Sequence, residues 1–141
     1  MKQRTIILDT GPLVASINHK DSCYEWVTHQ LKNIQSPLLT CEAVMTEACF
    51  LLRRRIQNVH TLLELRRRGF MTAPFRWDEE FESIEQLMRK YANVPMSFAD
   101  ACLVRMAECY PNSAVLTFDS DFRIYRKNRN QVIPVIMPEL H

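Results

Sequence analysis

Apolar and β-favouring residues run unbroken from Thr5 to Leu8 and stop at Asp9. The run predicts a short buried strand over residues 5–9, and Pro12 suits the first turn of a helix over about 11–18. Tyr24, Trp26, Val27 and Leu31 recur near helical spacing, which predicts a helix over 22–33 that Ser36-Pro37 ends. Leu38 to Thr40 is a brief second strand. The segment CEAVMTEACFLLRRR holds no glycine or proline and reads as a helix. Another helix covers roughly 58–68, closed by Gly69. Phe70 to Phe75 predicts a third strand, and Asp78 is placed to cap a charged helix reaching about 91. Ser97 opens the helix FADACLVRMAECY, and Ala114 to Phe118 is a strong strand. A short helix near 120–128 and a last strand, VIPVI, complete the pattern, with Pro134 favouring an edge position.

Strands alternating with helices imply a parallel sheet covered on both faces. With 141 residues the chain suits one domain, residues 1–141, able to bury a real core. No repeat, low-complexity block or composition break divides it. No apolar run approaches the roughly 20 residues needed to cross a bilayer, and MKQRTIILD is too short in its apolar part for a signal peptide. A cytoplasmic location without membrane contact is the expectation.

Charge adds little by itself, since 18 Lys and Arg against 16 Asp and Glu leave a net +2. Its distribution adds more. Arg53-Arg54-Arg55, Arg66-Arg67-Arg68 and the group Arg123, Arg126, Lys127 and Arg129 are basic clusters able to hold phosphates. For any one run a solvated helix face is the favoured reading. Cys23, Cys41, Cys49, Cys102 and Cys109 contain no CxxC pair, so they read as reduced, buried thiols, and their spacings argue against zinc. His19, His29, His60 and His141 are scattered singly and form no metal or triad motif.

Carboxylates are the informative residues. In an open α/β sheet, ligands bind beyond the carboxyl ends of the strands. Asp9 ends the first strand, Asp119 follows AVLTF, and Asp121 lies two residues on. Glu47 lies about two turns into the helix after strand two. Asp100 lies in the first turn of the helix that leads into AVLTF. Each has a purely structural alternative. Asp9 suits a cap, Ser97-Phe98-Ala99-Asp100 suits a capping box, and Asp119-Ser120-Asp121 suits a helix start. Glu47 resists such a reading, because Ala48, Cys49 and Phe50 predict a core-facing position where a carboxylate needs a partner or a metal. Asp9-Thr10-Gly11 also matches the catalytic triplet of aspartic proteases. Those enzymes are mainly β-structured and need two copies, whereas one copy running into a helix stands here.

A cluster of acids at one sheet edge repels itself unless cations fill it. Oxygen ligands without His or Cys suit Mg²⁺ or Mn²⁺, and the matching chemistry is metal-assisted phosphodiester hydrolysis. At this point the motifs ILDTGPLVA, TCEAVMTEACFLL, SFADACLVRMAE and VLTFDSDF, in this order and spacing, resemble those of the PIN-domain ribonucleases. The resemblance spans essentially the whole chain and is strongest to the VapC-like toxins of toxin–antitoxin pairs. It implies a three-layer α/β/α sandwich with a central, mostly parallel sheet. It also implies that Asp9, Glu47, Asp100 and Asp119 form the catalytic, metal-binding set, with Asp121 assisting directly or through water. Thr10 and Thr117 match polar neighbours of the first and fourth acids. An RNA substrate, a homodimer and a cognate antitoxin whose segment reaches the active site are further implications.

The expected function is therefore a metal-dependent endoribonuclease. Two alternatives stay open at this level: a non-catalytic RNA-binding or regulatory module that keeps the acidic pocket, and a DNA-directed nuclease with the same chemistry.

Overall fold

The computed structural model describes residues 4–139; Met1 to Gln3, Leu140 and His141 lie outside the described residues. Its centre is a five-stranded sheet formed by β1 (Thr5–Leu8), β2 (Leu38–Leu39), β3 (Met71–Thr72), β4 (Ser113–Leu116) and β7 (Val135–Ile136). The strand order is β3-β2-β1-β4-β7, and every neighbouring pair is parallel. Six helices surround it: α1 (Thr10–Ile17), α2 (Tyr24–Leu31), α3 (Glu42–Leu52), α4 (Ile56–Arg67), α5 (Phe81–Lys90) and α6 (Phe98–Cys109). The expected α/β/α sandwich is the architecture found.

β1 and β4 lie in the middle, so both of their faces meet helices. This is why Ile6, Ile7 and Leu8 pair with Ala114, Val115 and Leu116 as unbroken apolar runs, all buried. Around them α1 contributes Leu13 and Ile17, α3 contributes Val44, Ala48 and Leu52, and α6 contributes Leu103, Val104 and Met106. Gly69 ends α4 as predicted. Its φ of +79° is the left-handed conformation that glycine adopts freely, and Phe70 N–H returns to Leu65 O at 3.0 Å.

Four expectations need correction. Asp78 caps nothing: α5 begins after Glu80, and no side chain caps it. The helix expected near 120–128 is only a 3-10 turn over Ser120–Arg123, after which β5 (Arg126–Lys127) and β6 (Gln131–Val132) form an antiparallel hairpin. Asn128 and Arg129, both at positive φ, make its turn, a conformation that Asn tolerates and a helix cannot contain. The segment VIPVI is consequently split: Val132 belongs to the hairpin, Ile133 is buried, and only Val135–Ile136 join the main sheet, at its edge. Finally, of the five cysteines, all free, only Cys41 and Cys102 are buried, and Cys109 is exposed.

The third basic cluster is also partly structural. Lys127 is buried with its Nζ donating to Pro111 O at 3.3 Å, and Arg126 spends one guanidinium nitrogen on the carbonyls of Arg123, Ile124 and Tyr125. Arg53 to Arg55 and Arg66 to Arg68 are exposed, as the solvated-face reading expects.

Gly11 has a packing reason to be glycine. A Cβ there would stand 2.9 Å from Cδ2 of Phe118, whose ring packs edge-on against Trp26. Gly11→Ala is expected to lower stability by about 1–3 kcal/mol through overpacking. Denaturant unfolding checks this, and Phe118→Leu in the same chain should recover part of the loss.

Candidate active site

Parallel register determines which side chains meet. Leu8 pairs with Leu116, so the next residues along each strand direction, Asp9 and Thr117, emerge side by side at the carboxyl edge of the sheet. Asp9 N–H donates to Leu116 O at 3.0 Å, and Thr117 Oγ1 donates to Asp9 Oδ2 at 2.6 Å. Asp9 is also the N-cap of α1, its Oδ1 accepting from Thr10 N–H at 2.7 Å. The capping alternative is thus correct, and it leaves the carboxylate at the sheet edge.

The other acids are held by similar local devices. Thr117 Oγ1 accepts from Asp119 N–H at 3.0 Å, and Asp119 Oδ1 accepts from Asp121 N–H at 2.9 Å. Asp100 sits in the first turn of α6 within a complete capping box, its N–H donating to Ser97 Oγ at 3.0 Å. Because α6 runs back along the sheet before β4, its N-terminus lies at the same edge as the end of β1. Glu47 projects from the second turn of α3, and its Oε2 accepts from Thr10 Oγ1 at 2.9 Å.

Glu47 departs from expectation, since it is exposed and faces the cleft, not the core. The buried stripe of α3 is Val44, Ala48 and Leu52, four residues apart, and Glu47 lies one residue off it. Asp121 stands at the margin, on the 3-10 turn. Sequence reading also missed Tyr125. It is fully buried, and its hydroxyl donates to Asp100 Oδ2 at 2.9 Å. No local pattern announces a partner 25 positions away in the chain.

The electrostatics are those of uncompensated charge. Burial pushes the Asp9 carboxyl up to about 6, opposed by the Thr117 and Thr10 hydrogen bonds and reinforced by Asp100 and Asp119. Asp100 is raised as well, chiefly by burial, against the lowering effect of Tyr125. Among the described residues no Lys or Arg forms an ion pair with Asp9, Glu47, Asp100, Asp119 or Asp121. Nor do three His, Cys, Asp or Glu side chains among them close tightly enough to enclose an ion. Like charges held by neutral hydroxyls and amides stand apart for that reason.

Beside Glu47 a cleft of about 630 Å³ opens, walled by Glu42, Glu47, Arg76, Trp77 and Phe98 and floored by Cys41, Ala99 and Cys102.

The PIN domain model matches residues 6–128, a span containing all four motifs. The chain belongs to the PIN domain family. The crystal structure of VapC20 from Mycobacterium tuberculosis, described as a Sarcin-Ricin loop cleaving toxin, superposes on it with a TM-score of 0.71 at 21% identity. The alignment covers 83% of this chain and 92% of VapC20, and at that identity it establishes a shared fold. No curated protein matches by sequence.

A raised Asp9 makes a signed prediction for stability. The unfolded chain releases this proton near 3.8 and the fold near 6. The cost of ionising Asp9 is therefore fully present above pH 6 and relieved as pH falls towards 4. Asp9→Asn is expected to gain on the order of 2 kcal/mol over wild type at pH 7.5 in EDTA, relative to the gap at pH 4.5. Urea unfolding at both pH values measures it; a gap independent of pH would contradict the assignment.

Proposed function

We propose that this PIN protein is a metal-dependent endoribonuclease that hydrolyses RNA phosphodiester bonds. The observation that carries the reading is a buried carboxylate, Asp9, beside Asp100 and Asp119 with no cationic side chain among the described residues paired to it. Charges left in this condition are expensive unless a cation joins them. The donors are all hard oxygens, which fits Mg²⁺ or Mn²⁺. Asp9, Glu47, Asp100 and Asp119 would hold the ion, with Asp121 assisting. When bound, the metal would lower the pKa of an attacking water and stabilise charge on the phosphate.

The chain's own residues prepare the site. Thr117 fixes Asp9 by donating to Oδ2, and the same hydroxyl receives the Asp119 amide. Tyr125 and the capping box hold Asp100 from two sides. Thr10 holds Glu47 through its hydroxyl. This preorganisation means that the acids need little rearrangement when charge develops in the reaction.

Family membership and the fold likeness to VapC20 support RNA as the substrate and a toxin role, with an antitoxin protein as partner. The whole chain then acts as one PIN-type nuclease domain, as a homodimer in the cytoplasm. No helix among the described residues is long and apolar enough to cross a membrane.

Incubating total RNA with wild type and Asp100→Asn, in Mg²⁺, in Mn²⁺ and in EDTA, tests the proposal. Discrete fragments that require the metal and disappear in the mutant are expected. Full activity in pure Asp100→Asn, or metal-independent RNA binding without cleavage, would overturn it. Tyr125→Phe should keep the fold but raise the metal concentration for half-maximal cleavage several-fold, because Asp100 loses its second anchor.

A further inference from the structure

Three aromatic rings stand exposed in one cluster, two of them on the cleft beside Glu47: Trp77 at 50% and Phe98 at 41% on the cleft, and Phe81 at 49% against Trp77. They are not scattered. Phe98 meets Trp77 edge-on with ring centroids 5.8 Å apart at 78°, and Phe81 meets it from another side at 6.4 Å and 69°. Such contacts fix the plane of the Trp77 ring while leaving about half of its surface open. Phe98 is the first residue of α6, two positions before Asp100, so one helical turn carries both an aromatic wall and an acid of the site. Trp77 and Phe98 wall the same cleft as Glu47.

The cleft has a distinct character. Its charged walls are Glu42, Glu47 and Asp78 against a single Arg76, which already faces Glu79 at 3.2 Å. A phosphate finds little welcome there, whereas a neutral planar group finds two perpendicular aromatic surfaces. We propose that Trp77 and Phe98 form a stacking notch for an unpaired nucleobase adjacent to the scissile phosphate of single-stranded RNA. This rests on the nuclease reading of the acidic site, whose substrate it narrows to strands with splayed-out bases. Stacking on these rings tolerates any base, so the notch selects for unpaired structure over sequence.

The chain has two tryptophans, so Trp26→Phe leaves Trp77 as the sole indole reporter. That variant, in EDTA to prevent cleavage, is titrated with an unstructured oligoribonucleotide, with the same strand lacking its bases, and with inorganic phosphate. Saturable quenching by the base-bearing strand alone is expected. In Mg²⁺, Trp77→Ala and Phe98→Ala should raise KM about tenfold with kcat retained, and Trp77→Phe should stay near wild type. Absent quenching, or equal quenching by the abasic strand, overturns the notch. So does sedimentation showing that Trp77→Ala dissociates a dimer while its RNA affinity is unchanged. Base-dependent quenching without cleavage in Mg²⁺ would retain the notch and remove the nuclease; metal-dependent cleavage without quenching would do the reverse.

Discussion

Parallel pairing of β1 with β4 is the constraint on which the acidic edge depends. Four consecutive residue pairs lock the register, from Thr5 with Ser113 to Leu8 with Leu116. A slip of one residue would bring Asp9 opposite Leu116 or Phe118 and leave its Oδ2 without the Thr117 hydroxyl. Register here is strongly specified because both strands are buried on both faces, so every slip exchanges core positions. The core therefore sets the geometry of the site at the end of the strands, and one core side chain, Tyr125, reaches it directly through Asp100.

Capping and a place at the sheet edge are not competing roles for these acids. Asp9 caps α1, Asp100 completes a capping box on α6, and Asp119 caps the 3-10 turn. Each cap takes a carboxylate to a helix start, where unpaired amides and the helix dipole favour negative charge. Three such starts meet at one sheet edge because strands ending there turn directly into helices, or receive them. The amides offset only part of the cost, since burial still raises Asp9 and Asp100. Among the described residues no cationic side chain forms an ion pair that offsets the rest.

Much of this was legible from the chain. Apolar runs located β1 and β4, alternation indicated a parallel sheet, and Ser97 to Asp100 showed its capping box by spacing alone. These signals are local, and local patterns survive folding when tertiary packing agrees with them. The errors lie where packing decided instead. Glu47 has apolar neighbours in sequence, but helical rotation sends Ala48 inward and Glu47 to the cleft. Residues 120–128 carry charged residues that suit a helix, yet Asn128 and Arg129 at positive φ and the Glu108 carboxylate accepting from Asn128 N–H at 2.7 Å turn the chain into a hairpin. Tyr125 acquires its role only through that turn, and Gly11 only through the Phe118 ring beside it.

Retaining an unneutralised acid at a buried strand end works against stability, and the surrounding contacts show where this is tolerated. Asp9 sits above a core in which Ile7, Val115 and Leu116 are fully buried, so a closely packed part of the molecule carries a charge that burial disfavours. A rigid base suits this burden, because a flexible one would relax by turning the carboxylate to water and lose the site. The same logic explains the neutral donors. A lysine or arginine in place of Thr117 would neutralise Asp9 with a permanent ion pair. A hydroxyl orients the carboxylate without cancelling its charge, and thus keeps the edge ordered while leaving it negative.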